Sequence, residues 1–224
     1  MIAQEKLRLI KKLSLFKSIN DEQIEDIREI SSITEYPKGS ILYYENDSYN
    51  KIFFLISGVL KVYKIDKFEN EIFLYHIHKS SLISELTSLE ENSIYCYSNS
   101  EFMEDSIVLE VDFAEFKKRF LSKNMLNDEF INEILLKTHQ LHCVVNRELV
   151  FDATAKVAYM LSDDLEMFNS IKRQDVSFML HIQPETLSRV LNKLKRSNII
   201  EVENSIVSIV DHEKLNNIYR GNIL

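Results

Sequence analysis

The sequence predicts an α+β protein built from a β-rich roll, a long helix and a winged helix-turn-helix, in that order. Three observations predict it. Residues 34–112 hold short β-branched and aromatic runs separated by polar clusters. Residues 126–149 carry one apolar stripe at helical spacing. Residues 173–210 read as two short helices joined by a turn, then two short strands. The corresponding bounds are 1–125, 126–150 and 151–224.

Taken in order, residues 4–33 read as helical, because Leu7, Ile10 and Leu13 and then Ile24, Ile27 and Ile30 recur at helical spacing. Asn20 ahead of Asp21, Glu22 and Gln23 reads as an N-cap, its oxygen placed to accept an orphan N–H, with acid at the positive end of the helix dipole. The strand candidates are 40–44, 51–57, 59–65, 71–77 and 107–111. Tyr36-Pro37-Lys38-Gly39 is a turn signal before the first of them. Short strands at this spacing build a barrel or roll.

The stripe Ile131, Ile134, Leu135, Thr138, Leu141 and Val145 follows, on a helix about 35 Å long at 1.5 Å per residue. Lys137, Arg147 and Glu148 fall off the stripe. So long a stripe after a barrel has little of its own domain to cover, which predicts a coiled-coil-like homodimer contact; the alternative is a helix packed on its own barrel. Residues 152–169 read as a further helix through Val157, Ala158, Met160 and Leu161.

Composition excludes several classes. No apolar run approaches the roughly 20 residues that span a bilayer. The segment MIAQEKLRLIKKL lacks the apolar core and cleavage site of a signal peptide, so a cytoplasmic protein without a membrane partner is expected. Two cysteines, Cys96 and Cys143, are too few for a disulfide framework, a four-Cys zinc site or a four-Cys iron–sulfur site. Three dispersed glycines build neither GxGxxG nor a P-loop. No nucleophile–base set or HExxH motif is present, so no enzyme is expected.

A net charge of −8 looks wrong for a nucleic-acid binder, yet the average misleads. Residues 1–151 hold 18 basic and 25 acidic side chains, whereas residues 152–224 hold 9 and 10. Within 186–196, Arg189, Lys193, Lys195 and Arg196 stand without an acidic neighbour. Local sign decides whether a surface can meet phosphate.

The segment 173–210 parses as a helix at 173–180, a turn at 181–183, a helix at 184–197, and strands at 199–203 and 206–210 joined by Asn204-Ser205. Val176, Met179 and Leu180 supply the first helix's inner face, and Ile182 fills the turn. Pro184 suits the first position of the second helix, where its missing N–H costs nothing. Leu187, Val190, Leu191 and Leu194 form the buried face of that helix, leaving Glu185, Ser188, Arg189 and Asn192 together on the other. Such a face can enter a major groove, where Arg binds guanine bidentately and Glu accepts from cytosine. Glu185 and Arg189 are also spaced to hold each other; as a surface pair that would contribute only about 0.2–0.5 kcal/mol.

The module PETLSRVLNKLKRSNIIEVENSIVSIV resembles the DNA-binding domain of the Crp/Fnr regulator superfamily. Glu185-Thr186-x-Ser188-Arg189 is similar to the Fnr-like branch, in which Glu, Ser and Arg read a TTGA half-site. Leu15-Phe16, Tyr36-Pro37-Lys38-Gly39, Ile56-Ser57-Gly58, Ser84-Glu85-Leu86 and Glu104-Asp105-Ser106 match the family's cyclic-nucleotide-binding-type β-roll, and coverage is nearly end to end. The resemblance implies a homodimer on a TTGA…TCAA inverted repeat, with RNA polymerase as a partner. Glu185, Ser188 and Arg189 would read the bases, Thr186 and Asn192 would belong to the same DNA-binding face, and Lys193, Lys195 and Arg196 would mainly face phosphates. The rival reading is a ligand-binding module with a degenerate winged helix, acting through protein partners.

Departures from the family bear on the effector. A cyclic-nucleotide cassette carries Gly-Glu and, about ten residues on, an Arg for the phosphate; residues 84–97 contain no Arg or Lys, and Glu85, Glu90 and Glu91 would face the phosphate uncompensated. No cAMP or cGMP response is expected. The Fnr iron–sulfur cluster is also excluded, since residues 1–95 contain no Cys. Candidate effector residues are His76, His78, Glu85 and Cys96, with haem as one possible cofactor because His76 and His78 share a strand face. His139 and His142 are spaced to share a metal, but as the polar rim of a helix seam they need none; no metal site is assigned. Cys143 reads as a buried, inert thiol. An apolar or aromatic-acid effector is a third option, because the roll strands carry Tyr43, Phe53, Phe54, Tyr63, Phe73 and Tyr75.

Overall fold

The computed structural model describes residues 3–220. The chain divides into two compact units, one ending at Leu141 and the other beginning at His142. The division falls within the long helix.

In the first unit, α1 (Ala3–Ile10) and α2 (Asp21–Glu29) precede the strands. Asn20 caps α2 as its sequence predicts: its side chain accepts from Gln23 N, and Gln23 Oε1 accepts from Asn20 N, each at 2.9 Å. The helical expectation for 31–33 is overturned. Those residues begin β1 (Ser31–Tyr36), which pairs antiparallel with β10 (Ser106–Asp112).

Ten strands build the roll. Between β1 and β10 lie β2 (Ile41–Tyr43), β3 (Ser48–Tyr49), β4 (Lys51–Ser57), β5 (Val59–Ile65), β6 (Glu71–His78), β7 (Ser81–Leu82), β8 (Ile94–Tyr95) and β9 (Asn99–Phe102). One sheet runs β1-β10-β4-β7, the other β2-β9-β5-β6, and β3 pairs β8. β4 explains its own unbroken apolar run. Ile52, Phe54 and Ile56 face a core shared with the helices, while Phe53 and Leu55 face the roll interior with Leu60, Val62, Ile77 and Cys96. Gly58 turns β4 into β5 at φ +102°, where a Cβ would lie 2.0 Å from Ser106 Oγ.

Helix α3 (Phe113–Arg119) leads to α4 (Asn127–Val145). Phe130 and Glu133 bury one face of α4 against the roll unit, and Ile134 packs partly against the same core. Ile131, Leu135, Leu141 and Val145 are bared, each between 50% and 58% exposed. The reading of a helix packed on its own roll holds for Phe130, Glu133 and Ile134, and Ile134 is thereby removed from the stripe expected to face a second chain. The helix continues as a wider π-type turn over Asn146–Val150.

The second unit comprises α5 (Ala153–Asp163), α6 (Leu165–Ser170), α7 (Arg173–Met179), α8 (Pro184–Arg196), β11 (Ile200–Glu203), β12 (Ile206–Ile209) and α9 (His212–Arg220). The single helix expected over 152–169 is broken at Asp164, whose carboxylate accepts from Met167 N at 2.9 Å and restarts the chain as α6. The helix α9 lies beyond the elements the sequence reading assigned; it seats Leu215 in this unit's core. Asn204 and Ser205 both take positive φ, the signature of a type I′ hairpin turn.

Candidate nucleic-acid interface and sensor interior

Helix α8 separates its faces as its spacing predicts. Leu187, Val190 and Leu194 are buried in the core of the second unit, with Leu191 packed beside them. Glu185, Ser188, Arg189, Asn192, Lys193, Lys195 and Arg196 are exposed, and Thr186 is half-buried. The expected Glu185–Arg189 pair is not formed. Arg189 Nη2 instead donates to Thr186 Oγ1 at 3.2 Å, and Ser188 Oγ donates to Pro184 O at 3.1 Å. Glu185 and Arg189 are thus not tied to each other. The basic side chains Lys193, Lys195 and Arg196 occupy the last turn, where the helix dipole favours them.

The wing is braced from below. Asn169 donates to Val207 O at 2.8 Å and accepts from Val207 N at 2.9 Å, imitating a strand partner. Arg173 donates to Phe168 O at 2.8 Å and Ser205 O at 2.6 Å, its guanidinium 4.2 Å from the Phe168 ring centroid.

A half-buried ionic hub holds the turn before α8. Glu148 accepts from Arg147 Nε at 2.6 Å and Lys156 Nζ at 3.5 Å, and meets His181 Nδ1 at 2.8 Å. Lys156 also donates to Leu180 O at 3.2 Å. His181 sits at φ 51° in the turn between α7 and α8. Burial opposes ionisation of Glu148, but hydrogen bonds from Arg147 and His181 outweigh it and hold the carboxyl below the usual range. Sequence reading placed Arg147 and Glu148 only as residues off the stripe.

The structure does not bring the four candidate effector residues together. Tyr75 and Ile77 alternate with His76 and His78 along β6, and Ile77 is fully buried in the roll interior with Cys96. His76 and His78 therefore share the opposite, outer face, their rings 6.2 Å apart. Glu85 is engaged by its own loop: Oε2 accepts from Tyr97 N and Oε1 from Ser98 Oγ, both at 2.7 Å. Burial and the carboxylates of Glu85 and Asp47 push the Cys96 thiol up to about 12. No group of three or more His, Cys, Asp or Glu suited to a metal ion occurs among the described residues.

Two further residues of the roll unit stand out: Lys137, read in sequence only as off the stripe, and Tyr43, read as one of the roll aromatics. Lys137 reaches from α4 to donate to Ile83 O at 3.1 Å, with its ammonium 5.5 Å from the Tyr75 ring centroid. Burial pushes Lys137 down to about 8, against the pull of Glu85 and Glu133. Tyr43 is almost wholly buried and its hydroxyl finds no hydrogen-bond partner. The Ser100 hydroxyl accepts from the Tyr43 backbone N–H at 3.3 Å. An off-stripe lysine reads as solvated in sequence, and no local signal marks it otherwise.

Comparisons with known proteins agree with this architecture. Residues 155–218 match the family model of the Crp-like helix-turn-helix domain, and residues 33–123 match that of the cyclic nucleotide-binding domain. The chain is 24% identical over 214 residues to electron transport regulator A of Shewanella oneidensis, covering 87% of this chain and 80% of that protein. It is 20% identical over 199 residues to the anaerobic regulatory protein of Bacillus subtilis, covering 84% and 83%. Its fold is similar to that of a CooA variant from Carboxydothermus hydrogenoformans, with TM-score 0.70, 18% identity and coverage of 92% and 94%. It is likewise similar to FixK2 from Bradyrhizobium japonicum, with TM-score 0.68, 15% identity and coverage of 84% and 97%. No helix among the described residues is long and apolar enough to cross a membrane.

Proposed function

We propose, for a chain that belongs to the Crp/Fnr superfamily of DNA-binding transcription regulators, a cytoplasmic homodimer that reads a TTGA…TCAA inverted repeat under the control of a small-molecule effector. The observation that carries the reading is the exposed face of α8, where Glu185, Ser188 and Arg189 stand together above a buried Leu187–Val190–Leu194 face. Arg189 reads guanine, Glu185 the opposite strand, and Ser188 a neighbouring thymine or phosphate. Lys193, Lys195 and Arg196 meet phosphates and set the register. The bared α4 stripe of Ile131, Leu135, Leu141 and Val145 meets its copy in a second chain, which places two recognition helices about 34 Å apart in successive major grooves. RNA polymerase is the expected protein partner at the promoter.

The effector is neither a cyclic nucleotide nor haem in this reading. The cassette at 84–97 lacks an Arg or Lys, and Glu85 is already occupied by Tyr97 and Ser98. The roll interior offers no imidazole, because His76 and His78 face outward. Thiol chemistry at Cys96 is disfavoured by a thiol held protonated. A small organic ligand is supported by the unpartnered Tyr43 hydroxyl and the desolvated Lys137.

Fluorescence anisotropy tests the DNA reading. The protein should prefer a TTGA…TCAA duplex over a scrambled one, and Arg189→Ala should cost about 1–3 kcal/mol on the cognate site and relax base preference there. Equal loss on scrambled DNA would remove Arg189 from base reading. No preference by the wild type would favour the protein-partner module. An absorbance titration with haemin tests the exclusion of haem: a stoichiometric Soret band lost in His76 or His78 variants would reinstate it.

A further inference from the structure

On the exposed face of α8, the Arg189 side chain has one hydrogen-bond partner among the described residues, and it is Thr186. Three features suit Thr186 to hold that guanidinium. It is half-buried, whereas Glu185, Ser188, Arg189 and Asn192 around it are exposed. Its β-branched side chain is restricted at χ1, and its N–H bonds Gln183 O at 2.9 Å, so the hydroxyl stands on a fixed base. Its oxygen is a neutral acceptor, which orients the guanidinium without cancelling the positive charge and leaves the Glu185 carboxylate for a base. Ser188 does not share the task, because its hydroxyl turns back to Pro184 O at 3.1 Å. A guanidinium carries five N–H donors in one plane. One is spent on Thr186 and the others remain, more than the pair that guanine O6 and N7 require.

We propose that Thr186 is a positioning residue for base reading: its hydroxyl oxygen holds the Arg189 guanidinium in the plane that meets guanine O6 and N7. The proposal deepens the function proposed above and rests on its assignment of Arg189 to guanine. Long side chains lose rotamer freedom when they bind, and an arginine already tethered at one corner of its fork loses less. In water the tether is an exposed, weak bond. In a groove it counts for more, because base edges replace water around the fork and a mis-set plane leaves guanine's acceptors unpaired. The tether acts only where the arginine meets guanine. Thr186 therefore governs the margin by which guanine is preferred. The general attraction of α8 to DNA comes instead from Lys193, Lys195 and Arg196. A threonine that met a phosphate would strengthen every sequence alike.

Anisotropy of the full chain with two duplexes separates these roles: TTGA…TCAA, and TTAA…TTAA, in which adenine replaces the guanine of each half-site. Thr186→Val keeps the β-branched shape and removes the acceptor. It should weaken TTGA…TCAA by about threefold to tenfold per half-site, the range of a net hydrogen bond, hence about tenfold to a hundredfold for the inverted repeat. TTAA…TTAA should weaken by no more than about twofold. Thr186→Ser keeps the hydroxyl and should restore the guanine preference to within about threefold. Thr186→Ala, the stronger helix former, repeats the test without crowding. In an Arg189→Ala background, Thr186→Val should add no loss, as expected of one residue acting through another. Equal loss on both duplexes, with a salt dependence reduced by about one phosphate per half-site, overturns the proposal in favour of a phosphate contact. An undiminished loss in the Arg189→Ala background overturns it too. Wild-type protein that does not distinguish the duplexes fails the assignment of Arg189 itself, and the proposal falls with it. A wild-type preference kept intact by Thr186→Val removes the positioning role alone.

Discussion

In the DNA-binding unit, the carboxylate of Glu148 meets Arg147, Lys156 and His181; in the sensor unit, the ammonium of Lys137 meets one carbonyl oxygen. Both ions are partly removed from water, each residue being half-buried, and the cost of that removal is similar in kind. They differ in how far it is offset. Glu148 is held below its ordinary pKa because its partners outweigh burial, and Lys137 is held below its own because burial outweighs its partners. A satisfied network fixes a shape, here the turn that presents α8. An unsatisfied one leaves a demand that a ligand can meet. The first ion is held by its partners, and the second carries a burial cost that its partners do not offset.

The largest effect that would break this comparison lies at Glu148. Glu148→Ala would leave Arg147 and Lys156, each 8% exposed, without their shared carboxylate. The expected loss is about 3 kcal/mol, at the low end for a broken buried pair because Glu148 keeps some access to water. Native-state hydrogen exchange at the amides of α7 would measure it, and unchanged protection would make the hub ornamental. A smaller effect is expected in acid. The folded-state pKa of Glu148 is lowered, so the stability it confers is complete above the unfolded value of about 4.3 and is lost as pH falls through the folded value. Glu148→Gln keeps an acceptor and removes the titration. Its urea midpoint should therefore depend less on pH in that window than the wild type's, and parallel curves would assign the acid sensitivity elsewhere.

How legible each region was follows the same division. The face of α8 was readable because Leu187, Val190 and Leu194 repeat at helical spacing and leave the functional side chains by subtraction. The strands β4 and β5 were readable because both faces or alternate residues are apolar. β1 was missed because Ser31 follows α2 with no Gly or Pro between them, and its pairing with β10 spans most of the roll. The break at Asp164 was missed because an N-cap aspartate inside an apolar-periodic run looks like a surface residue until its bond to Met167 N is seen. On β6, strand parity correctly put His76 and His78 together, and the same parity with Ile77 between them decides that they face outward. Lys137 was illegible for a different reason. Its surroundings come from α4, β6 and the loop after β7, and nothing local to residue 137 announces that these converge.

The smallest expected effect sharpens the comparison most. Lys137→Met keeps the length of the stem and removes a poorly matched ammonium, so it should be neutral or stabilise the fold by about 1 kcal/mol at neutral pH. The pH dependence gives the sign an independent check. The folded-state pKa is about 8 and the unfolded value about 10.4, so between them the unfolded chain binds a proton that the folded chain has lost. Wild-type stability relative to Lys137→Met should therefore rise with pH across that window, by at most about 1.4 kcal/mol per pH unit. Urea midpoints of the two proteins compared near neutrality and near pH ~9.5 would show the gap closing. A loss on Lys137→Met as large as that on Glu148→Ala, with no closing of the gap, would make Lys137 a structural ion and erase the difference between the two units.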